Sequence, residues 1–80
     1  MPRIVLNYNE IGARIRAARK AKKMSQKKLA EMVGCHHKSI WGYEIGKVCP
    51  PLEVLLNCCV ALDIKLDKLI TIYYEQGDSK

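Results

Sequence analysis

The stretch SQKKLAEMVGCHHKSIWGYEIG, residues 25–46, contains two short helical patterns separated by a glycine. Ser25 is a favourable N-cap for the first helix. An apolar stripe at helical spacing follows it: Leu29, Met32 and Val33. Gly34 suits the end of that helix, because a residue without a Cβ adopts the left-handed conformation at little cost. The stretch therefore predicts a helix of two to three turns, a tight turn and a further helix.

That further helix is predicted over residues 37–44. Ile40 and Tyr43 lie three residues apart and are expected to point inward. The residues expected to point outward are His37, Lys38, Trp41 and Gly42. His36 occupies the N-cap position, where histidine is a poorer cap than serine or threonine. Gly46 supplies the turn that follows.

Three more helices are predicted around this pair. Asn9 is the expected N-cap of a first helix, which has Ile11, Ile15 and Ala18 on one face. Pro51 suits the first turn of a fourth helix. Its predicted core stripe is Leu52, Leu55, Leu56, Cys59 and Leu62. A fifth helix begins with Leu66, Leu69 and Ile70 and is expected to end near YYEQGDSK.

The two ends of the chain are assigned outside the main domain. Residues 1–8 are interpreted as an N-terminal arm, residues 9–72 as the domain and residues 73–80 as a C-terminal tail. The alternation of Ile4, Leu6 and Tyr8 leaves a strand open as the other interpretation of the start.

Charge is distributed unevenly over these 80 residues. Residues 1–50 contain eleven Lys or Arg and three Asp or Glu, a net charge of +8, whereas residues 51–80 have a net charge of −2. A polyanion such as nucleic acid is the natural partner of the basic half, and a solvated lysine-rich surface is the alternative. No apolar run reaches the roughly 18 residues of a membrane span, and the start lacks a signal-peptide pattern. We therefore expect a cytoplasmic protein without a membrane partner.

The cysteines and histidines do not form a pattern that indicates a metal site or an enzyme. Cys35, His36 and His37 are consecutive, so in a helix their side chains point about 100° apart and do not converge on one ion. No triad-like pattern, phosphate-binding glycine loop or carboxylate pair is present. We expect no catalysis, no metal and no cofactor. The four cysteines are interpreted as free thiols, with Cys59 in the core.

Further motifs extend the helical pair into a family pattern. They are Ser25-Gln26, Leu29-Ala30, Gly34, Ile40, Tyr43-Glu44-x-Gly46, Pro50, Leu52 to Leu62, and Leu66-Asp67-Lys68-Leu69. With these residues, about residues 10–72 resemble the phage-repressor helix-turn-helix family (Cro/cI-like, Xre-type). The resemblance implies an all-α, five-helix lambda-repressor-like domain. It also implies a sequence-specific double-stranded DNA-binding transcriptional regulator, a repressor, that reads the major groove with the helix at 37–44.

The resemblance also assigns roles to individual residues. His37 and Lys38 occupy positions that read base edges, and Lys38 is able to donate to guanine. The helical phase of Trp41 places it beside them, where we expect it to contact a sugar-phosphate or a thymine methyl; packing against the protein is the alternative. Gly42 matches a reading position but has no side chain.

Contacts to the DNA backbone are expected from Gln26, Ser39 and Lys47. For Gln26 the free amides at a helix N-terminus support this role. Arg19 and Glu44 correspond to an ion pair that clamps the reading helix to the first helix.

Relatives of this type bind palindromic operators as homodimers, with half-sites roughly 34 Å apart. The expected dimer surface is the corner of helices four and five with the C-terminal helix, and its apolar residues are Ile64, Leu66, Ile70, Ile72, Tyr73 and Tyr74. Pairing of residues 4–8 as a strand across two chains is the alternative. Two other functions stay open: an adaptor with a protein partner, and a thiol redox sensor.

Overall fold

The computed structural model describes residues 3–75 of the chain. Its elements are, in order, β1 (Arg3–Val5), α1 (Tyr8–Ala21), α2 (Gln26–Val33), α3 (His37–Glu44), α4 (Leu52–Leu62), α5 (Leu66–Leu69) and β2 (Tyr73–Glu75). The described part is mostly helical, and the five helices occur in the predicted order. Because β1 and β2 form a small sheet, the all-α prediction holds only in part.

Helix α1 begins two residues earlier than predicted. Asn7, rather than Asn9, is the N-cap, and its side chain accepts a hydrogen bond from the backbone N–H of Glu10 at 3.0 Å. Asn7 has extended backbone angles, as an N-cap requires, whereas Asn9 already lies within the first turn. Asn7 and Asn9, separated by one residue, offered the same signal, and the choice of Asn9 was wrong.

The core lies between α1, α2, α3 and α4, and α5 closes one end. Its fully buried large side chains are Ile11, Ile15, Leu29, Ile40, Cys58 and Leu69. The predicted inward residues of α3 are therefore in place, since Tyr43 is buried as well. Met32 was predicted on the core stripe of α2 but is exposed; Ala30 takes the buried position instead.

Helix α4 buries a different face from the predicted one. Leu55, Cys58 and Leu62 are buried, while Leu52 and Leu56 of the predicted stripe are exposed. The helix is apolar on almost every side, so its periodicity did not identify the face that packs on α2. The prediction that Cys59 is the core thiol was therefore wrong: Cys58 is the buried one, and Cys59 is only half-buried.

Burial also sets the chemistry of that core thiol. Desolvation raises the pKa of Cys58 to about 12, because the thiolate has little access to water. Cys58 therefore stays a neutral thiol over the physiological pH range and packs as a small apolar side chain.

The fifth helix is a single turn, and the prediction that it runs to the C-terminal residues was wrong. After Leu69 the chain becomes extended, and β2 pairs antiparallel with β1, with Val5 opposite Tyr73. The β-branched and aromatic residues of the ITIYY segment favour this extended form once a partner strand is available. The sequence left two interpretations of the first residues open, an arm and a strand. The structure contains the strand, over Arg3–Val5. The predicted tail continues into residues 76–80, outside the described residues.

Polar contacts join the C-terminal segment to α1. Arg14 Nη1 donates to Thr71 Oγ1 at 2.8 Å, and the hydroxyl of Tyr73 donates to Glu10 Oε2 at 2.9 Å. The strand residues themselves are exposed on both strands. The C-terminal segment is thus attached to the N-terminal half of α1. Among the described elements, the sheet has no substantial contacts with α2 or α3.

Candidate nucleic-acid interface

The turn between α2 and α3 is built by local capping. Ser25 accepts a hydrogen bond from the backbone N–H of Lys28 at 3.0 Å, as predicted for the N-cap of α2. Gly34 adopts φ 77°, the left-handed conformation predicted for it. Its N–H and that of Cys35 both donate to the carbonyl of Ala30, at 2.9 and 3.0 Å. These bonds close α2 and turn the chain sharply into α3.

His36 caps α3 through its ring. Its Nδ1 accepts a hydrogen bond from the backbone N–H of Lys38 at 3.1 Å. The ring also stacks on His37, with 4.4 Å between the ring centroids. Histidine thus provides the capping acceptor that serine or threonine supplies more often. The His36 ring contacts the start of α3 both through this hydrogen bond and through its stacking on His37.

Arg19 and Glu44 form a buried salt bridge between α1 and α3. Arg19 Nε lies 2.6 Å from Glu44 Oε2, and Arg19 Nη2 lies 3.0 Å from Glu44 Oε1. The two side chains are only 9% and 2% exposed. Arg19 also donates to the carbonyl oxygen of Met24 at 2.7 Å. The end of α3 is therefore fixed to α1 and to the loop before α2.

Gln26 belongs to the same network. Its amide nitrogen donates to Glu44 Oε1 at 3.1 Å, so α2 is tied to the same carboxylate as α1. Gln26 is half-buried at the first residue of α2. The side chain thus braces α3, and its amide oxygen makes no hydrogen bond to another described residue.

A glycine contact that sequence reasoning missed brings α1 and α3 together. Gly12 is buried within α1, and a Cβ there would overlap the carbonyl oxygen of Tyr43 and lie 2.7 Å from the carbonyl oxygen of Glu44. The two helix backbones therefore touch at this point. The only signal in the sequence was a glycine inside a helical pattern, which indicates a close approach without naming its partner.

The outward face of α3 exposes His37, Lys38 and Trp41, as expected from the helical phase. Gly42 was expected outward but is buried, because the chain after α3 folds back over it. The N–H of Lys47 donates to the carbonyl of Gly42 at 2.9 Å, which fixes this return.

The residues expected at the DNA backbone lie around this face. Lys47 is exposed, and its Nζ lies 5.9 Å from the centroid of the Trp41 ring. Ser39 is half-buried beside Trp41. Two cations that sequence reasoning left out, Arg16 and Lys20, line a neighbouring groove together with Gln26 and Trp41. Their i,i+4 spacing on α1 places them on one side of the helix, and this spacing was readable in the sequence.

The histidines and cysteines are not assembled into a metal site in this region. Within residues 3–75, no three His, Cys, Asp or Glu side chains are grouped so that they would hold an ion. Cys35 is half-buried, and desolvation raises the pKa of its thiol above the usual value. Over the same residues, no helix has the length and apolar character needed to cross a membrane.

Comparison with known proteins identifies the class. A family model described as Helix-turn-helix matches residues 15–69, most of the chain. The chain belongs to the helix-turn-helix family of the Xre/Cro/cI type. It is 35% identical over 57 residues to the uncharacterized HTH-type transcriptional regulator YobD of Bacillus subtilis (strain 168). The match covers 71% of this chain and 51% of YobD, so the chain spans about half the length of that curated relative.

Two solved structures resemble the domain over most of both chains. The restriction-modification controller protein C.AhdI of Aeromonas hydrophila is 34% identical with a TM-score of 0.74, covering 78% of this chain and 94% of its own. The P22 c2 repressor, solved in complex with synthetic operator 9T, is 38% identical with a TM-score of 0.74, covering 76% and 92%.

Proposed function

We propose that this protein is a sequence-specific double-stranded DNA-binding transcriptional regulator, a repressor, which inserts α3 into the major groove. The observation that carries the proposal is the clamped α3. Its inner side is fixed to α1 and α2 by the Arg19–Glu44–Gln26 network, while its outer side is exposed within the basic half of the chain. A helix fits the major groove, and rigid support is what converts its side chains into readers of base edges.

His37, Lys38 and Trp41 are the proposed base-reading residues. All three are exposed on α3, whereas Ile40 and Tyr43 of the same helix are buried. Lys38 carries three donors, which suit the two acceptors of guanine in the major groove. The related P22 c2 repressor was solved in complex with a synthetic operator, which supports DNA binding by a domain of this fold.

The proposed backbone contacts are made by polar residues on α3 and around it: Gln26, Ser39, Lys47, Arg16 and Lys20. Phosphate contacts position a protein on the duplex without reading sequence. Binding alone accounts for this function, without catalysis or a cofactor, and such a regulator works in the cytoplasm, beside the DNA it controls.

Affinity for duplex DNA is expected to depend steeply on salt. A protein that makes about 6–10 phosphate contacts loses roughly a thousandfold or more in affinity between 50 and 200 mM salt, because counterions are released on binding. Fluorescence anisotropy with a labelled duplex across that range measures the slope. Lys20→Ala is expected to reduce the slope by about 0.9, the share of one phosphate. Lys65→Ala, in the acidic half, is the control and leaves it unchanged. Affinity that does not vary with salt would contradict DNA binding.

We further propose that the protein binds a palindromic operator as a homodimer. Helix α4 supports this, because Leu52, Leu56 and Val60 form an exposed apolar stripe at i, i+4 and i+8 on the side opposite its core face. A second apolar patch at Leu66, Ile70 and Ile72 lies at α5 and the segment after it. Apolar surface on two neighbouring elements is typical of a surface that another protein covers. A second copy gives the two-fold symmetry that a palindrome requires.

Val60→Lys is expected to convert the dimer to a monomer. Val60 is 82% exposed, so lysine disturbs no packing within one copy but places a charge in the proposed interface. Ile4→Lys, at a 61% exposed residue of β1, is the matched control, and it is expected to leave the dimer intact. Sedimentation velocity at micromolar concentration measures whether each variant is a monomer or a dimer. If Ile4→Lys alone gives a monomer, the strand of residues 3–5 is the contact; if wild type is monomeric, a different protein partner is the better occupant of the stripe.

A further inference from the structure

The rings of His36 and His37 are stacked at the start of α3. Their centroids are 4.4 Å apart, and the ring planes are inclined to each other by 28°. Both residues are exposed, so no surrounding core forces the two rings together. Aromatic rings in such contact attract each other beyond the effect of the area that they bury. The stack is therefore a local interaction between these two side chains.

The His36 ring is itself attached to the backbone. Its Nδ1 accepts the hydrogen bond from the N–H of Lys38, which fixes the ring at the N-cap of α3. Serine or asparagine caps a helix more effectively than histidine does. Neither of them, however, has a ring on which His37 stacks. Histidine at this position thus combines a cap with a stacking surface.

The orientation of the His37 ring bears directly on recognition. His37 is the first residue of α3, and the N-terminal residues of a recognition helix are the ones that contact base edges. An exposed histidine without a neighbouring contact samples several rotamers, and each rotamer points the ring nitrogens in a different direction. Immobilising such a side chain on binding costs free energy, and a side chain already held in one rotamer avoids this cost.

We propose that His36 is a positioning residue for base reading. Its ring, fixed at the N-cap, holds the His37 ring in one orientation before DNA binds, so that the nitrogens of His37 meet one base edge. His36 thus contributes to sequence preference without contacting a base itself. This proposal rests on the DNA-binding function, and on the reading role of His37, proposed above.

The free protein provides the first test. Three-bond NMR couplings measure the χ1 rotamer populations of His37. We expect one dominant rotamer in the wild-type protein. We expect several in His36→Ser, which keeps an oxygen for the cap but removes the ring. Several rotamers in the wild-type protein, or one dominant rotamer in both proteins, would overturn the inference.

The second test measures sequence preference. Duplexes bound by the wild-type protein are selected from a random pool, and affinities for the selected site and its single-base variants are compared. His37→Ala identifies the base pair that His37 reads, because preference is lost there. His36→Ser is expected to lower the preference at that base pair by about three- to tenfold, the equivalent of immobilising one side chain, and to leave the others unchanged.

A double variant establishes that His36 acts through His37. Adding His36→Ser to His37→Ala is expected to cause no further loss of preference, because the ring that His36 positions is already absent. If His36→Ser lowers preference equally in both backgrounds, His36 contacts a base directly and the inference is wrong.

Stability separates positioning from capping. His36→Phe keeps a ring but leaves the Lys38 N–H without its acceptor, so it is expected to unfold at lower urea concentration than His36→Ser. Base preference is expected in the opposite order, with His36→Phe retaining more of it than His36→Ser. If preference instead follows stability, His36 is only a cap.

Failure of the underlying function gives a different result from failure of this inference. If the pool yields no enriched site, the DNA-binding proposal fails and the inference fails with it, whatever the rotamer populations are. If a site is enriched but His37→Ala loses preference at no base pair, His37 does not read a base and His36 positions no reader, although the protein binds DNA.

Discussion

Replacing Gly12 with alanine is expected to destabilise the domain by about 2 kcal/mol or more. Helix propensity alone would favour alanine by about 1 kcal/mol. The new Cβ, however, would overlap the Tyr43 carbonyl oxygen and crowd that of Glu44, and both are backbone atoms. Helices α1 and α3 must therefore move apart, which stretches the Arg19–Glu44 salt bridge close to this crossing. Urea unfolding followed by circular dichroism measures the loss of stability.

Gly42→Ala is the matched control for this substitution. Gly42 is also a helix residue, but its added Cβ would make only an ordinary contact, 3.5 Å from Val48 Cγ2. Propensity then decides the outcome, and we expect an unchanged or slightly more stable protein. Equal stability of the Gly12 and Gly42 variants would contradict the close crossing of α1 and α3.

Arg19→Met is expected to cost about 3–5 kcal/mol, because it leaves Glu44 charged and buried without its partner. This is a large part of the roughly 5–15 kcal/mol that stabilises an ordinary small protein. The double variant Arg19→Met/Glu44→Leu removes both charges and is expected to be more stable than Arg19→Met alone. The free energy of unfolding in urea gives both values.

The salt bridge between Arg3 and Glu75 provides a matched control on the surface. Its side chains are 75% and 47% exposed, and water screens the pair. Arg3→Met is therefore expected to cost less than about 1 kcal/mol. Similar small losses for Arg3→Met and Arg19→Met would mean that the interior pair does not hold α3 to α1.

The elements that local chemistry determines were predictable from the sequence. The Ser25 cap, the left-handed Gly34 and the range 37–44 of α3 are all present, because each depends on residues within one turn of the position concerned. The family resemblance also paired Arg19 with Glu44, which are 25 residues apart.

The features that depend on distant partners were not predictable. Helix α4 is apolar on nearly all sides, and only its neighbours determine that Cys58 rather than Cys59 is buried. The segment after Leu69 becomes a strand because β1 lies beside it, more than sixty residues away in the chain. The return of the chain over Gly42 likewise depends on Lys47 and Val48, so this part of the site appeared only in the structure.

The central claim, that α3 reads sequence while residues around it hold the backbone, is tested most directly by comparing Lys38→Ala with Lys47→Ala. Affinities are measured for the selected site, for its single-base variants and for random duplex at the same salt concentration. Lys38→Ala is expected to lose about 1–3 kcal/mol on the selected site and its preference at one base pair. Lys47→Ala is expected to weaken binding to all duplexes alike. Equal losses for both variants on selected and random DNA would contradict the assignment of α3 as the reading helix.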